Sequence, residues 1–171
     1  MNDLLLLAML LGGPTHGYEL KKRAGWVTGQ PNLHNNLVYP LLGKFRKAGW
    51  ISRKTSTGQR GQTREVYSLT AKGKAELLQR LNEFSAKDAA SDGAFRLRVG
   101  MFSTFDADAR GKILHVRDEF LQQREKKFVN LASAMQLGQW GGEVTSFLLR
   151  QVQAERKWIS RLKRLSGATA K

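Results

Sequence analysis

The chain has 171 residues, 41% of them hydrophobic, enough for one substantial domain or two small ones with real cores. Twenty-nine Lys and Arg against 14 Asp and Glu give a formal charge of +15, which points to a polyanionic partner, either nucleic acid or an anionic membrane surface. The absence of cysteine excludes disulfides and thiolate metal sites. Residues 4–11 are too short an apolar run to cross a bilayer and follow an acidic start, so a cytoplasmic protein with no membrane association is expected.

In chain order, "MNDLLLLAMLL" predicts a helix to about Leu11, apolar on all sides and therefore suited to a buried central position. "GGPT" stops it. Thr15 is the expected cap of a second helix, with Tyr18 and Leu20 partly inward and Lys21, Lys22 and Arg23 outward. "GWVTGQPNL" reads as a loop. A short third helix is expected from about Asn35 to Lys47, with Asn32, Asn35 and Asn36 as candidate caps and Gly49 as its stop. Pro40 lies within it, close enough to the start to do limited damage. Val38, Leu41, Leu42 and Phe45 form its inner face, which leaves amide and basic side chains outside. Around Ile51 and again around Val66, Tyr67 and Leu69 the period changes to that of two strands flanking a Gly58–Gly61 loop. Thr70 then caps a fourth helix with Leu77, Leu78, Leu81 and Phe84 inward.

"SAKDAASDGA" is small and polar and marks a boundary. The expected division is a first domain over 1–84, a connecting segment over 85–107 and a helical domain over 108–171. "FRLRVGMFSTF" is ambiguous between helix and strand. A long helix over 108–136 carries Leu114, Leu121, Phe128 and Met135 at seven-residue intervals. "LGQWGG" breaks it, and a last helix carries Val144, Phe147, Leu148, Trp158, Ile159, Leu162 and Leu165. Two such helices paired only with each other leave one side of the apolar stripe wet, so dimerisation is expected. Asp106 and Asp108 imitate a calcium loop, but Arg117 stands where the last ligand belongs, and capping of the long helix explains them better.

Between Leu20 and Arg64 stand ten cations, and no acid lies between Glu19 and Glu65. Helix, helix, short basic helix and basic hairpin is the order of a winged helix-turn-helix. The fold class expected is therefore mainly α with a small β-wing, followed by a long helical dimerisation domain. A helix this short fits the major groove, about 12 Å wide, by its leading end. His34, Asn35 and Asn36 lie there, where amides can read adenine edges. The hairpin presents Arg60, Gln62 and Arg64, with Arg60 suited to a narrow minor groove or to phosphates. Lys44, Lys47, Arg53 and Lys54 suit phosphates, which position without specifying, and Tyr39 is read as half core and half phosphate contact.

"THGYELKKRA", "NNLVYPLLGKFRKAGWI" and "TREVYSLTAKGKAEL" together resemble the DNA-binding domain of PadR-type transcriptional regulators, over residues 4–84 or so. His16-Gly17-Tyr18, Tyr39-Pro40, Gly49 and the Tyr67–Gly73 segment follow that family's order and spacing. "FLLRQVQAERKWISRL" is similar in layout to the longer branch, whose C-terminal helices form a dimer. The resemblance implies a homodimeric bacterial repressor on a pseudo-palindromic, double-stranded DNA operator, released in some members by a small ligand, phenolic acids among them. Asn36 departs from the family pattern, where a small residue or glycine is common, so different bases would be read.

No ligand residues carry over from the resemblance. From the residues alone, Phe120, Phe128, Trp140 and Trp158 are the candidates for an aromatic effector pocket between domains, although such aromatics more often serve a core or an interface. No cofactor or metal is expected. There is no glycine-rich phosphate loop, His16 reads as structural, and His115 with Glu119 lacks a further ligand at a telling distance. Nothing pairs a nucleophile with a base, so an enzyme is not expected. The competing reading is a non-specific basic nucleic-acid-binding protein without an effector. The two differ in whether a sequence-dependent margin survives as salt rises.

Overall fold

The structure, a computed structural model, describes residues 2–28, 35–57, 63–134 and 138–167. The chain divides into two compact units, Met1–Glu83 and Phe84–Lys171.

In the first unit, α1 (Asn2–Met9) buries Leu4 to Ala8 and runs into a 3-10 turn, Leu10–Gly12. A two-residue strand follows, β1 (Thr15–His16), and then α2 (Gly17–Thr28). Thr15 is therefore not a helix cap. It pairs with Tyr67 across the sheet, and its hydroxyl donates back to the Gly13 carbonyl at 3.0 Å. The local sequence offers a Thr before a helix, but a long-range strand edge takes it instead. α3 spans Asn35–Lys47 as expected. β2 (Ile51–Thr57) and β3 (Thr63–Leu69) form the antiparallel wing, and the sheet order is β1-β3-β2. The hairpin tip, with Arg60, Gln62 and the Gly58–Gly61 loop, lies outside the described residues. α4 (Ala71–Asn82) closes the unit and buries Leu77 and Leu81.

One corner locks α3, the wing and α4 together. Past the end of α3 the Gly49 amide bonds the Arg46 carbonyl at 3.0 Å and the Trp50 amide bonds the Phe45 carbonyl at 2.9 Å, the paired bonds of a Schellman turn. Gly49 has φ +74, a conformation that glycine adopts without strain. The Thr70 hydroxyl lies 2.7 Å from the Gly49 carbonyl and accepts from the Gly73 amide at 3.0 Å, which caps α4 as the sequence predicts. Gly73 has to be glycine, because a Cβ there would sit 1.9 Å from the Trp50 carbonyl oxygen.

The second unit begins where a connecting segment was expected. Residues 85–107 form α5 (Ala86–Ala89), α6 (Asp92–Gly100) and a 3-10 turn, Phe102–Thr104. Ser85 and Asp88 cap α5 reciprocally, and Ser91 caps α6, which resolves the ambiguous "FRLRVG" as helix. α7 (Ala107–Ala134) starts at Asp106, whose carboxylate accepts from the Ala109 amide at 2.7 Å, the capping role expected for it. α8 spans Gln139–Leu165, so "QWGG" belongs to its first turn instead of breaking the chain there. Glycine is tolerated more readily at a frayed helix start than in the interior.

Arg117 of α7 is fully buried and ties four elements. It donates to Asp92 of α6 at 2.6 Å, to both carboxylate oxygens of Glu155 of α8 at 2.8 Å, and to the Ala89 carbonyl of α5. The rings of Phe95 and Phe120 lie 5.2 and 5.4 Å from its guanidinium carbon. Farther along the α7–α8 pair, Asp118 accepts from Arg156 and Lys163, and Glu125 from Arg156 and Gln153. Burial acts to raise the Asp118 pKa, but the bonds from Lys163 and Arg156 outweigh it and hold the carboxyl below its ordinary range.

Gly73→Ala is expected to destabilise the first unit by about 3 kcal/mol, because the new carbon meets a backbone oxygen that cannot swing aside. Chemical denaturation followed at Trp50 measures this, and a midpoint equal to that of the parent would contradict the corner's role.

Candidate nucleic-acid interface

α3 divides into an inner and an outer face. Val38, Leu42 and Phe45 are at most 1% exposed and Leu41, also expected inward, is half-buried, whereas Tyr39, Pro40, Lys44, Arg46 and Lys47 face solvent. Pro40 is the sixth residue of the helix, and the amide it lacks would have bonded the Asn36 carbonyl in the first turn. Lys54 and Arg64 are exposed on the wing strands.

The sequence motifs converge in space. A Cβ added to Gly17 would lie 3.2 Å from Tyr39 Cε1 and 3.3 Å from Tyr67 Cε2, so rings from α3 and β3 close over the first residue of α2. His16, Tyr18, Glu19, Arg64 and Glu65 join these three around a cavity of about 610 Å³. His16 Nδ1 lies 3.4 Å from the Glu65 carbonyl, in keeping with a structural role. The Tyr67 hydroxyl donates to Glu65 Oε2 at 2.6 Å, and Arg53 donates to Glu65 Oε1 at 2.5 Å. Burial first, and then the bond to Glu65, push the Tyr67 phenol up to about 12.

Of the residues expected at DNA, Lys44, Lys47, Arg53, Lys54 and Arg64 are exposed on α3 and the wing, and Tyr39 is 44% exposed. Arg53 is held by Glu65. Asn35 and Asn36 occupy the first turn of α3, but their side chains, like His34, Arg60 and Gln62, lie outside the described residues. The four effector candidates do not line one pocket together, although Arg117 links Phe120 to the Phe95–Trp158 pair and Arg124 lies between Phe128 and the Trp158 cavity. Phe120 lies against Arg117 and Phe128 against Arg124, Trp158 meets Phe95 edge-on at 5.8 Å, and Trp140 is 78% exposed. Trp158 lines a cavity of about 320 Å³ with Leu121, Leu148, Arg96 and Arg124. Among the described residues no three His, Asp or Glu side chains are grouped to hold a metal ion, and no helix is long and apolar enough to cross a membrane.

Two residues escape the sequence patterns. Glu65 had a signal, since it ends a long acid-free run. Arg117 had none beyond its position on an amphipathic helix, where an arginine ordinarily faces solvent.

Residues 6–79, nearly the whole first unit, match the model of the transcriptional regulator PadR-like family. That unit is a domain of the transcriptional regulator PadR-like family. Among solved structures the chain is similar to TA0346 of Thermoplasma acidophilum, with 33% identity over 46% of this chain and 74% of that one and a TM-score of 0.43. It is similar also to smu.1704 of Streptococcus mutans, at 28% identity over 46% and 70% and a TM-score of 0.40. PadR of Bacillus subtilis in complex with operator DNA is similar at 16% identity over 96% and 98%, with a TM-score of 0.46. A comparison with curated proteins finds no match.

The Tyr67 phenol ionises near 12 in the folded protein and near 10 when unfolded. Between those values the folded form keeps a proton that the unfolded chain has released. The associated stabilisation is complete below pH 10 and is lost as pH rises from 10 to about 12. Denaturation midpoints measured on either side of pH 10 should fall less steeply for Tyr67→Phe than for the parent, and identical slopes would refute the assignment.

Proposed function

We propose that this PadR-like regulator is a homodimeric repressor that sets the α3 helices of two subunits in successive major grooves of a pseudo-palindromic operator. The observation that carries the reading is the division of α3 itself. A buried inner face fixes the helix, and Tyr39, Lys44, Arg46 and Lys47 are offered outward beside an exposed basic wing. Asn35 and Asn36, at the leading turn, are the proposed base readers, while Tyr39, Lys44, Lys47, Arg53 and Lys54 position the backbone. Arg60, Gln62 and Arg64 on the hairpin reach the flank. Pairing of two copies is supported by α8, where Trp140, Val144 and Phe147 recur at helical spacing and are 78%, 59% and 53% exposed. The reading extends to a small aromatic acid as effector. The Trp158 cavity has an apolar wall at Leu121 and Leu148 and guanidinium groups at Arg96 and Arg124, and its two carboxylates, Asp92 and Glu155, are bonded to Arg117; this lining supports that ligand class.

Sequencing of the DNA fragments captured by the purified protein, with and without aromatic acids, tests the whole scheme. On the best site, Asn36→Ala should weaken binding by roughly 1–3 kcal/mol and relax base preference, whereas Lys54→Ala should weaken all duplexes alike. Equal losses on cognate and scrambled DNA for Asn36→Ala would reject its reading role. A binder with no margin between the two as salt rises would instead be the non-specific basic protein. For the dimer, Phe147→Glu should shift the sedimentation coefficient to that of a monomer while helical content is kept. A variant that stays dimeric would remove α8 from the interface.

A further inference from the structure

Glu65 is out of keeping with its surroundings. No other acid stands between Glu19 and it, and it follows Arg64 on β3, in the third strand pair from the tip end of a cationic wing. The register pairs Arg53 with Tyr67 and Thr55 with Glu65, which puts Arg53, Glu65 and Tyr67 on one face of the sheet. The carboxylate is gripped from both sides, by Arg53 at 2.5 Å and by the Tyr67 hydroxyl at 2.6 Å. It also lines the cavity that Tyr39 of α3 shares. Arg53 and Glu65 are each 42% exposed, so the ion pair contributes little to folding. An explanation for it has to be sought in what approaches from solvent.

We infer that Glu65 is a positioning residue that sets the specificity of DNA binding by withholding Arg53 from loosely placed phosphates. This rests on the reading of α3 and the wing as the DNA-facing surface. Non-specific binding draws its free energy from phosphate neutralisation and counterion release, with little demand on geometry. A guanidinium already bonded to a carboxylate adds little to that. Its remaining N–H donors can still serve a phosphate that arrives in line, because Arg carries five donors in a fixed fork. Where base contacts at the start of α3 hold the backbone in register, Arg53 bonds Glu65 and phosphate together. Elsewhere it stays with Glu65. Discrimination then comes from an element that weakens the wrong complex more than the right one.

The test uses the full chain, the best duplex recovered from captured fragments, and a scrambled duplex of the same composition, each titrated over a salt series. Glu65→Gln keeps the side-chain size and an acceptor for Tyr67 but releases Arg53. It should tighten binding of the scrambled duplex several-fold, steepen that duplex's log–log salt slope by about 0.9, and change the cognate duplex less. In an Arg53→Ala background the same substitution should have no such effect. Loss of affinity by equal factors on both duplexes, no change on either, or a gain that persists without Arg53 would overturn the inference. Arg53→Ala and Lys54→Ala separate this from failure of the underlying reading. If both leave every duplex unaffected, the wing does not face DNA. If they weaken binding while Glu65→Gln leaves the cognate-to-scrambled ratio unchanged, only the role of Glu65 falls.

Discussion

The missing side chain at Gly73 is the constraint on which the first unit depends. Trp50 occupies the space that a Cβ would fill, and this one close approach fixes the end of α3, the start of β2 and the first turn of α4. Arg80 lies 4.5 Å over the Trp50 ring and bonds Glu76 and Asp3, which carries the same corner through to α1. The exposed cations of α3, Lys44, Arg46 and Lys47, have no acid among them in the sequence and repel one another. Such a cluster keeps its shape only when its root is anchored in something neutral and tightly packed, and here the root is a glycine against a carbonyl.

The second unit meets its excess of cations differently. Arg117 is drawn inside and satisfied by two carboxylates, a carbonyl and two aromatic rings, so its buried charge is not left without a partner. In the first unit the cations of α3 stay at the surface, available to a partner; in the second, a cation has become part of the core.

Much of this was legible in the residues, and the exceptions have physical causes. The bounds of α3 could be read because asparagines precede it, Gly49 follows it, and its inner face is apolar at helical spacing. Thr70 was legible as a cap for the same local reasons. β1 was not, since a two-residue strand has no period to detect and Thr15 pairs with a residue far along the chain. The segment over 85–107 has the small, polar composition of a linker, and that is also the composition of short helices capped by Ser85 and Ser91. On α8 the sequence lists Val144, Phe147 and Ile159 together as one apolar set, but Thr145, Val152 and Ile159 are the buried residues, while Val144 and Phe147 are exposed. A helix with two apolar stripes does not announce which one meets its neighbour. At the candidate interface the residue types and their order were readable, whereas the pairing of Arg53 with Glu65 becomes visible only once strand register is known.

The cross-links between α7 and α8 give this pair of helices a mechanical character. With 28 residues at about 1.5 Å each, α7 is roughly 42 Å long, and rungs at Glu155, Asp118 and Glu125 brace it against α8. Two rods tied in this way bend far less than either would alone. A tilt of about 5° at one end of such a strut carries the other end through roughly 4 Å, more than the length of a hydrogen bond. The outer rungs touch water from both partners, so dissolved ions slacken them, while at Arg117 the guanidinium itself is buried and is slackened less. The result is a lever with a fixed fulcrum and a shaft whose stiffness varies with ionic strength.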